Sequence, residues 1–278
     1  MTTPWPLEDV WLALSPMCPG ISLEWLPSID STNTELMRRA RQGLTDPVVL
    51  IADLQTAGRG RLGRSWTSTP GESLTLSLGL MLDPPDWSGL SLAVGVSLAE
   101  SLTQMLHAQP PRTPHPAPDR AVLGLKWPND LWCDPGTGPH KLGGILIETA
   151  TVADASSGPT GRYAVIGMGL NLRTPQGVDS SIPALGLNDL EPGLRGSALL
   201  RELMPSLLRT VLDFNQEGFA PLMSRFARRD WLLDQAIRLS DGREGWARGV
   251  DVQGRLLVDT DSGRECVNSN EISIRPRA

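Results

Sequence analysis

Lysine is nearly missing from this chain. Of 25 basic side chains in 278 residues only Lys126 and Lys141 are lysines, and the other 23 (25 minus 2) are arginines. The skew runs along the whole chain, so it is a compositional habit that places Arg wherever a cation will serve. Cysteine is scarce too. Cys18, Cys133 and Cys266 are far apart and odd in number, which excludes a disulfide framework and indicates a reducing compartment. No apolar run is long and clean enough for a membrane span: the best, from Leu90 to Leu106, is broken by Glu100 and Gln104 and reads as a buried helix. The opening MTTPWPLEDV has acids and prolines where a signal peptide has basic residues and an unbroken apolar stretch. A cytoplasmic protein without a membrane partner is expected. A surplus of positive charge is also lacking, and the net charge of -6 argues against a general nucleic-acid surface. An anionic ligand has to be met by a local patch.

What is present describes a globular chain, 40% hydrophobic and 20% charged. Its length suffices for one large domain and a small one. Asp30, Ser31 and Thr32 supply cap chemistry for a helical run that ends at Gly43. VVLIADL (48–54) and SLTLSLGLML (73–82) are strand-like, and Leu92, Val96, Ala99 and Leu102 stand at helical spacing between 88 and 108. QPPRTPHPAP (109–118) is half proline and forms an exposed spacer. Strands are expected at 123–127, 141–149 and 163–170, and helices at 197–217 and 220–231. From Gln235 onward short strands alternate with Gly and Asp, the texture of a small five-strand barrel. The expected division is an N-terminal extension over 1–24, a catalytic domain over 25–233 and a small β domain over 234–278.

GRGRLG (58–63) matches the dinucleotide-binding pattern letter for letter and has Asp83 twenty residues on. That fingerprint has to open a helix, whereas RSWTSTPG follows here and the nine residues before the next strand cannot hold a crossover helix. Arg59, Arg61 and Arg64 occupy this segment with no acid among them. A glycine-rich loop that closes on an anion with arginine forks is the better account.

Three further segments give that loop a context: KWPNDLW (126–132), KLGGILIE (141–148) and GMGLN (167–171). With DSTN (30–33) and QTAGRGRLGRSW (55–66), in this order and spacing, they resemble the biotin protein ligases, which attach biotin to a lysine of a carboxyl carrier domain. The resemblance spans about residues 25–275. It implies an α/β (α+β) catalytic domain with a mixed central sheet, followed by a small SH3-like β-barrel. It also implies ATP and Mg²⁺ as cofactors, biotin as substrate, and biotin carboxyl carrier protein as partner.

Carried over by motif, Ser31, Thr32 and Asn33 line the biotin pocket, although Ser31 and Thr32 equally cap the following helix. Gln55, Gly58, Arg59, Gly60 and Arg61 contact biotin and close over it, with Gly143 beneath. Arg61 and Lys141 are the catalytic pair, Arg61 holding the adenylate phosphate and Lys141 bridging the biotin carboxylate and the α-phosphate. Arg64, Asn129 and Asn171 serve the nucleotide and Mg²⁺, and Trp66 stacks on adenine, whereas Trp127 is assigned to the core. Asp130 either orients Mg²⁺ or caps its turn. Lys126 is given a phosphate role, the alternative being a structural pair with an acid such as Glu148. His107, His115 and His140 are too scattered to hold a metal, so Mg²⁺ is expected to arrive on ATP.

The Arg173–Pro183 stretch is expected to order over the intermediate, and Asn270 stands where related proteins often have Gly. Only 29 residues precede DSTN, so neither a DNA-binding domain nor a DNA partner is expected. The edge of the central sheet could serve a homodimer or receive the acceptor domain. Two rivals stay open: a lipoate-protein ligase, and a non-catalytic biotin or ATP binding module.

Overall fold

Residues 73–82 carry leucine at every even position, with small or polar side chains between them up to Gly79, and the fold turns that alternation into the two faces of a sheet. A computed structural model describes residues 5–111, 121–151, 161–176 and 183–269 in full, and 274–276 by their backbone. The proline-rich segment beyond Pro111, most of the 173–183 stretch and Asn270 lie outside the described residues. The elements run α1 (Leu7–Leu14), β1 (Ser22–Leu26), α2 (Thr32–Arg41), β2 (Val48–Ala52), β3 (Ser73–Leu82), α3 (Leu90–Met105), β4 (Val122–Lys126), β5 (Asp130–Asp134), β6 (His140–Thr151) and β7 (Arg162–Asn171). They continue with α4 (Gly196–Glu217), α5 (Met223–Ala227), β8 (Ala236–Leu239), β9 (Glu244–Val250), β10 (Leu256–Thr260), β11 (Gly263–Val267) and β12 (Ile274–Pro276).

Seven strands form a mixed sheet in the order β1-β2-β3-β7-β6-β5-β4, parallel only between β1 and β2. The even-numbered residues Leu74 to Leu82 of β3, with Ala164, Ile166, Met168 and Leu170 of β7, face the main core, where α3 and α4 pack. The opposite face carries Thr75, Ser77 and Gly79 of β3 and Tyr163, Val165, Gly167 and Gly169 of β7. There α2 covers half the surface, burying Leu36, Met37 and Ala40 against Val165 and Tyr163. Desolvation in that layer pushes the Tyr163 phenol up to about 12, so it stays protonated. Beyond the first turn of α2 this face is made of glycine and hydroxyl groups, and the sheet is left with a floor instead of a core.

Three elements escape the sequence pattern. Helix α1 lies inside the expected N-terminal extension and buries Val10 and Leu14 against α4. Strand β1 is an edge with little apolar alternation, and β5 follows β4 after a three-residue turn. The helix expected over 220–231 is a 3₁₀ turn followed by α5 and ends at Ala227. It stops because its next backbone groups serve β4: Leu125 donates to the Arg229 carbonyl (2.7 Å) and Trp231 donates to the Leu125 carbonyl (2.8 Å).

At the C-terminus five strands form an antiparallel sheet in the order β11-β10-β9-β8-β12. Its described strands leave β11 and β12 as separate edges, so no closed barrel is present among them. One side chain joins the two sheets from a buried position. Trp127 is 1% exposed and its indole N–H donates to the Gly254 carbonyl at 3.0 Å. Trp127→Phe removes that donor and leaves a buried carbonyl unpaired, which is expected to cost about 1–2 kcal/mol. Denaturant unfolding of the variant measures the loss, and an unchanged midpoint would show that this bond does not couple the sheets.

Candidate active site

The loop after β2 and the face beneath α2 enclose an open cavity of about 120 Å³. Of the sixteen residues that the motifs nominate, twelve line it: Ser31, Thr32, Asn33 and Gln55 on the floor, Arg59, Gly60, Arg61, Arg64 and Trp66 from the loop, and Asn129, Asp130 and Lys141 from β5 and β6 with their turns. A larger cleft of about 660 Å³ near Trp5, Trp25 and Leu172 carries none of them.

The floor is built from α2 downward. Ser31 caps α2, accepting the Thr34 amide at 3.4 Å, and so combines cap and lining roles. Thr32 and Asn33 then point at the sheet. The Thr32 amide donates to Gln55 Oε1 (2.7 Å), and the Thr32 hydroxyl lies 3.1 Å from the same oxygen. Asn33 Nδ2 donates to the Leu146 carbonyl (3.2 Å) and to Glu148 Oε2 (3.0 Å). Ser77 Oγ sits between them, 2.7 Å from Thr32 Oγ1 and 2.6 Å from Asn33 Oδ1. Ser77 and Glu148 belong to the site although the motifs do not point to them. The signal for Ser77 was a hydroxyl among leucines on a strand whose other face is core.

The loop is a tight excursion, not a helix start. Gly60 donates to the Arg64 carbonyl (2.7 Å) and Trp66 donates to the Gly58 carbonyl (2.9 Å). A 3₁₀ turn over Arg61–Gly63 is its only helical feature, and Leu62, at φ 55°, is held exposed at the tip. Arg59 pairs with Glu148 at 3.0 Å. Arg61 reaches Asn129 Oδ1 at 3.5 Å and the Ser269 carbonyl, just beyond β11. Burial lowers the Arg61 pKa from the ordinary arginine value, the Asp130 charge raises it and Arg64 lowers it further. A cation so desolvated gains from any anion placed beside it.

Opposite the loop, Lys141 Nζ and Asp130 Oδ1 form an ion pair of 2.7 Å. A register shift between Leu131 and Trp132 lies beside the pair, and Gly144 borders it, a Cβ there falling in ordinary contact at 3.5 Å from both charged groups. Asn129 is fixed by its Nδ2 donating to the Ile145 carbonyl at 2.8 Å.

Four nominated residues do not line the cavity. Gly58 is where the loop's two arms touch, a Cβ there falling 2.4 Å from the Trp66 carbonyl. Gly143 is packed on β7, 2.5 Å from the Gly169 carbonyl by the same measure. Asn171 spends its Nδ2 on the Lys141 and Leu185 carbonyls, both at 3.4 Å, so it braces the strand that bears Lys141. Lys126 is buried with its ammonium 5.2 Å from the Trp132 ring centre, while Glu148, its suggested partner, is taken by Arg59 and Asn33.

Residues 25–171 match the Biotin/lipoate A/B protein ligase family, and residues 233–275 match the Biotin protein ligase C terminal domain. The chain belongs to the biotin/lipoate A/B protein ligase family. Among curated relatives, the bifunctional ligase/repressor BirA of Escherichia coli is 35% identical, over 92% of this chain and 75% of its own length. The biotin--[acetyl-CoA-carboxylase] ligase of Mycobacterium tuberculosis is 33% identical, over 90% of this chain and 88% of its own. The solved structure of biotin protein ligase from Aquifex aeolicus in complex with biotin and ATP shares the fold, with a TM-score of 0.70 at 24% identity over 92% of this chain and 99% of that one. Within this ligase fold the two glycines of β7 have separate tasks. A Cβ at Gly167 falls 2.1 Å from Asn33 Oδ1, and one at Gly169 falls 2.5 Å from the Trp66 ring. Asn33 is tied on three sides, whereas Trp66 Nε1 has no hydrogen-bond partner among the described residues and its ring is only partly buried. Gly167→Ala is therefore expected to destabilise by about 1–3 kcal/mol and Gly169→Ala by less; urea unfolding orders the two, and the reverse order contradicts the rigid floor.

Proposed function

We infer that this protein attaches biotin, through biotinyl-5′-AMP and at the expense of ATP, to a lysine of the biotin carboxyl carrier protein of acetyl-CoA carboxylase or a related carboxylase. The observation that carries this reading is the gathering of the DSTN, GRGRLGRSW, KWPND and KLGG segments round one cavity that presents Arg59, Arg61, Arg64 and Lys141. Its floor favours a ureido ring over a dithiolane. Gln55 turns Oε1 to the Thr32 amide, which leaves the Nε2 arm as a donor beside the Thr32 hydroxyl. A donor next to an acceptor is the complement of an –NH–C(=O)– edge. Lipoate has no such edge.

The chemistry asks for charge and position. In the first step a biotin carboxylate oxygen attacks the α-phosphorus of ATP, the P–O bond to pyrophosphate breaks and pyrophosphate leaves. One anion meets a polyanion, and at an effective dielectric of 20 each unit charge pair 4 Å apart is worth about 4 kcal/mol. Lys141 is held by Asp130 until an anion competes for its ammonium, and its three rotatable donors suit a point between carboxylate and phosphate. Arg61 and Arg64 hold the adenylate phosphate, and Trp66 the adenine. Asn129 and Asp130 are the oxygen donors that would hold Mg²⁺ brought by ATP, which would offset phosphate charge. In the second step the neutral amine of the carrier lysine attacks the anhydride carbonyl, the bond to the phosphate oxygen breaks, AMP leaves and the amine proton passes to solvent. The adjoining cleft of about 480 Å³, between Arg61 and Gly254, is the side from which that lysine arrives.

We read the C-terminal strands as the SH3-like module of this ligase, supported by their antiparallel order and the match over 233–275. No described helix is long and apolar enough to cross a membrane, and a cytoplasmic setting agrees with the sparse cysteines. A test is direct: MgATP, an apo carrier domain and either biotin or lipoate are mixed with the protein, and the acceptor mass is read. One biotinyl group is expected; a lipoyl group, or no gain, sinks the reading. Lys141→Ala is expected to abolish ATP–pyrophosphate exchange with an unchanged unfolding midpoint, and normal exchange would exclude its role.

A further inference from the structure

The polar chain under the cavity has a direction, and that direction follows from counting protons. Ser77 is fully buried and has one hydroxyl proton, yet it stands 2.6 Å from Asn33 Oδ1 and 2.7 Å from Thr32 Oγ1. Both separations are short enough to require a proton between the oxygens. Asn33 Oδ1 has none to give. It is unambiguously the oxygen of the amide, because the other arm faces the Leu146 carbonyl and the Glu148 carboxylate, two groups that only accept. Ser77 must therefore donate to Asn33, and Thr32 must donate to Ser77. Gln55 Oε1, at 3.1 Å the more distant neighbour of the Thr32 hydroxyl, is already served by the Thr32 amide. What Thr32 Oγ1 has left for the cavity is a lone pair.

We propose that Ser77, Asn33 and Glu148 are positioning residues that fix this polarity, so that the Thr32 hydroxyl meets the ligand as an acceptor and selects a head group bearing an N–H. The inference rests on the biotin reading above and deepens it: it says why the floor distinguishes a ureido ring from a ring without N–H groups. Glu148 is the outer anchor. Its Oε2 takes Asn33 Nδ2 and its Oε1 takes Arg59 Nη1 at 3.0 Å, so the carboxylate orients the floor and holds the first arginine of the loop together. Gly167 completes the arrangement, since any side chain there meets Asn33 Oδ1. Were the chain to run the other way, Thr32 would offer a proton and the floor would prefer an acceptor.

The test is biotin binding by calorimetry, with the apparent KM for MgATP as the control. Ser77→Ala frees the Thr32 proton and is expected to weaken biotin about tenfold, the scale of one misdirected hydrogen bond, while the KM for MgATP moves less. Asn33→Asp places a carboxylate against Glu148 and the Leu146 carbonyl and is expected to weaken biotin further. Adding Glu148→Gln to Asn33→Asp supplies a donor to that carboxylate and is expected to recover several-fold of the loss. A purely structural role predicts the opposite, since each added substitution would weaken binding again. Ser77→Ala binding biotin as tightly as the parent overturns the proposal, as does a double variant no better than Asn33→Asp alone. A parent chain that binds no biotin overturns the functional reading as well, and is told apart because no variant is involved.

Discussion

Asn33 can lie against the sheet only because position 167 has no side chain. The rest of the site is arranged by that contact. It sets the depth at which α2 enters, and hence where Ser31 and Thr32 reach the cavity. It also requires β3 to carry a small polar residue opposite, because the buried Asn33 amide oxygen needs a donor. Ser77 satisfies that need, and Ser77 is directly paired with Gly167 in the β3–β7 register. One cross-strand pair, a serine and a glycine, so replaces what would otherwise be a pair of apolar core residues. The main core on the other face offsets the stability this forgoes, with Leu76, Leu78, Ile166 and Met168 from the same two strands.

The loop is steadied from two sides before any ligand is present. Arg59 is held by Glu148 of β6, while Arg61 touches Asn129 and the Ser269 carbonyl beyond β11. The C-terminal sheet is thus part of the loop's resting position and not only a neighbour, and the bond from Trp127 to Gly254 fixes the two sheets so that this contact can exist. On the functional reading proposed above, each arginine would trade a partner when an anion enters. The net gain from binding is the difference between the two pairings, which is smaller than the gross attraction of a free cation. Such an exchange favours ligands that engage several cations together, as a carboxylate beside a nucleotide does.

Much of this was legible in the chain because the responsible patterns are local. Strand β3 was read at its true bounds from the leucine alternation, and α4 within one residue from its four-residue repeat. Twelve of the nominated residues meet at the cavity because a motif fixes neighbours along the chain, and neighbours on one loop or turn arrive together. The patterns fail where tertiary demand decides. Helix α5 is cut short because its following backbone groups pair with β4. Asn171 belongs to the GMGLN motif, yet its amide is spent on the Lys141 and Leu185 carbonyls. No local signal separates a side chain that holds a ligand from one that holds the strand behind it.

The scarcity of lysine can now be divided into two cases. At Lys141 the ammonium lies 2.7 Å from Asp130, with Gly144 bordering the pair. A planar guanidinium has its fork in fixed directions and a longer reach, so it is no simple replacement for the ammonium in this pair. At Lys126 the ammonium is buried beside the Trp132 indole, off the cavity lining. Arginine stacks on indoles as readily as lysine does, so the aromatic contact alone does not explain why a chain so inclined to arginine keeps lysine there. Burial adds a further constraint at 126. The side chain is 6% exposed under Trp132, itself 4% exposed and tilted against Trp231, and a guanidinium has to be accommodated edge to edge in a layer packed to interior density. The two lysines stand in different settings, one in an ion pair at the cavity and one buried off its lining.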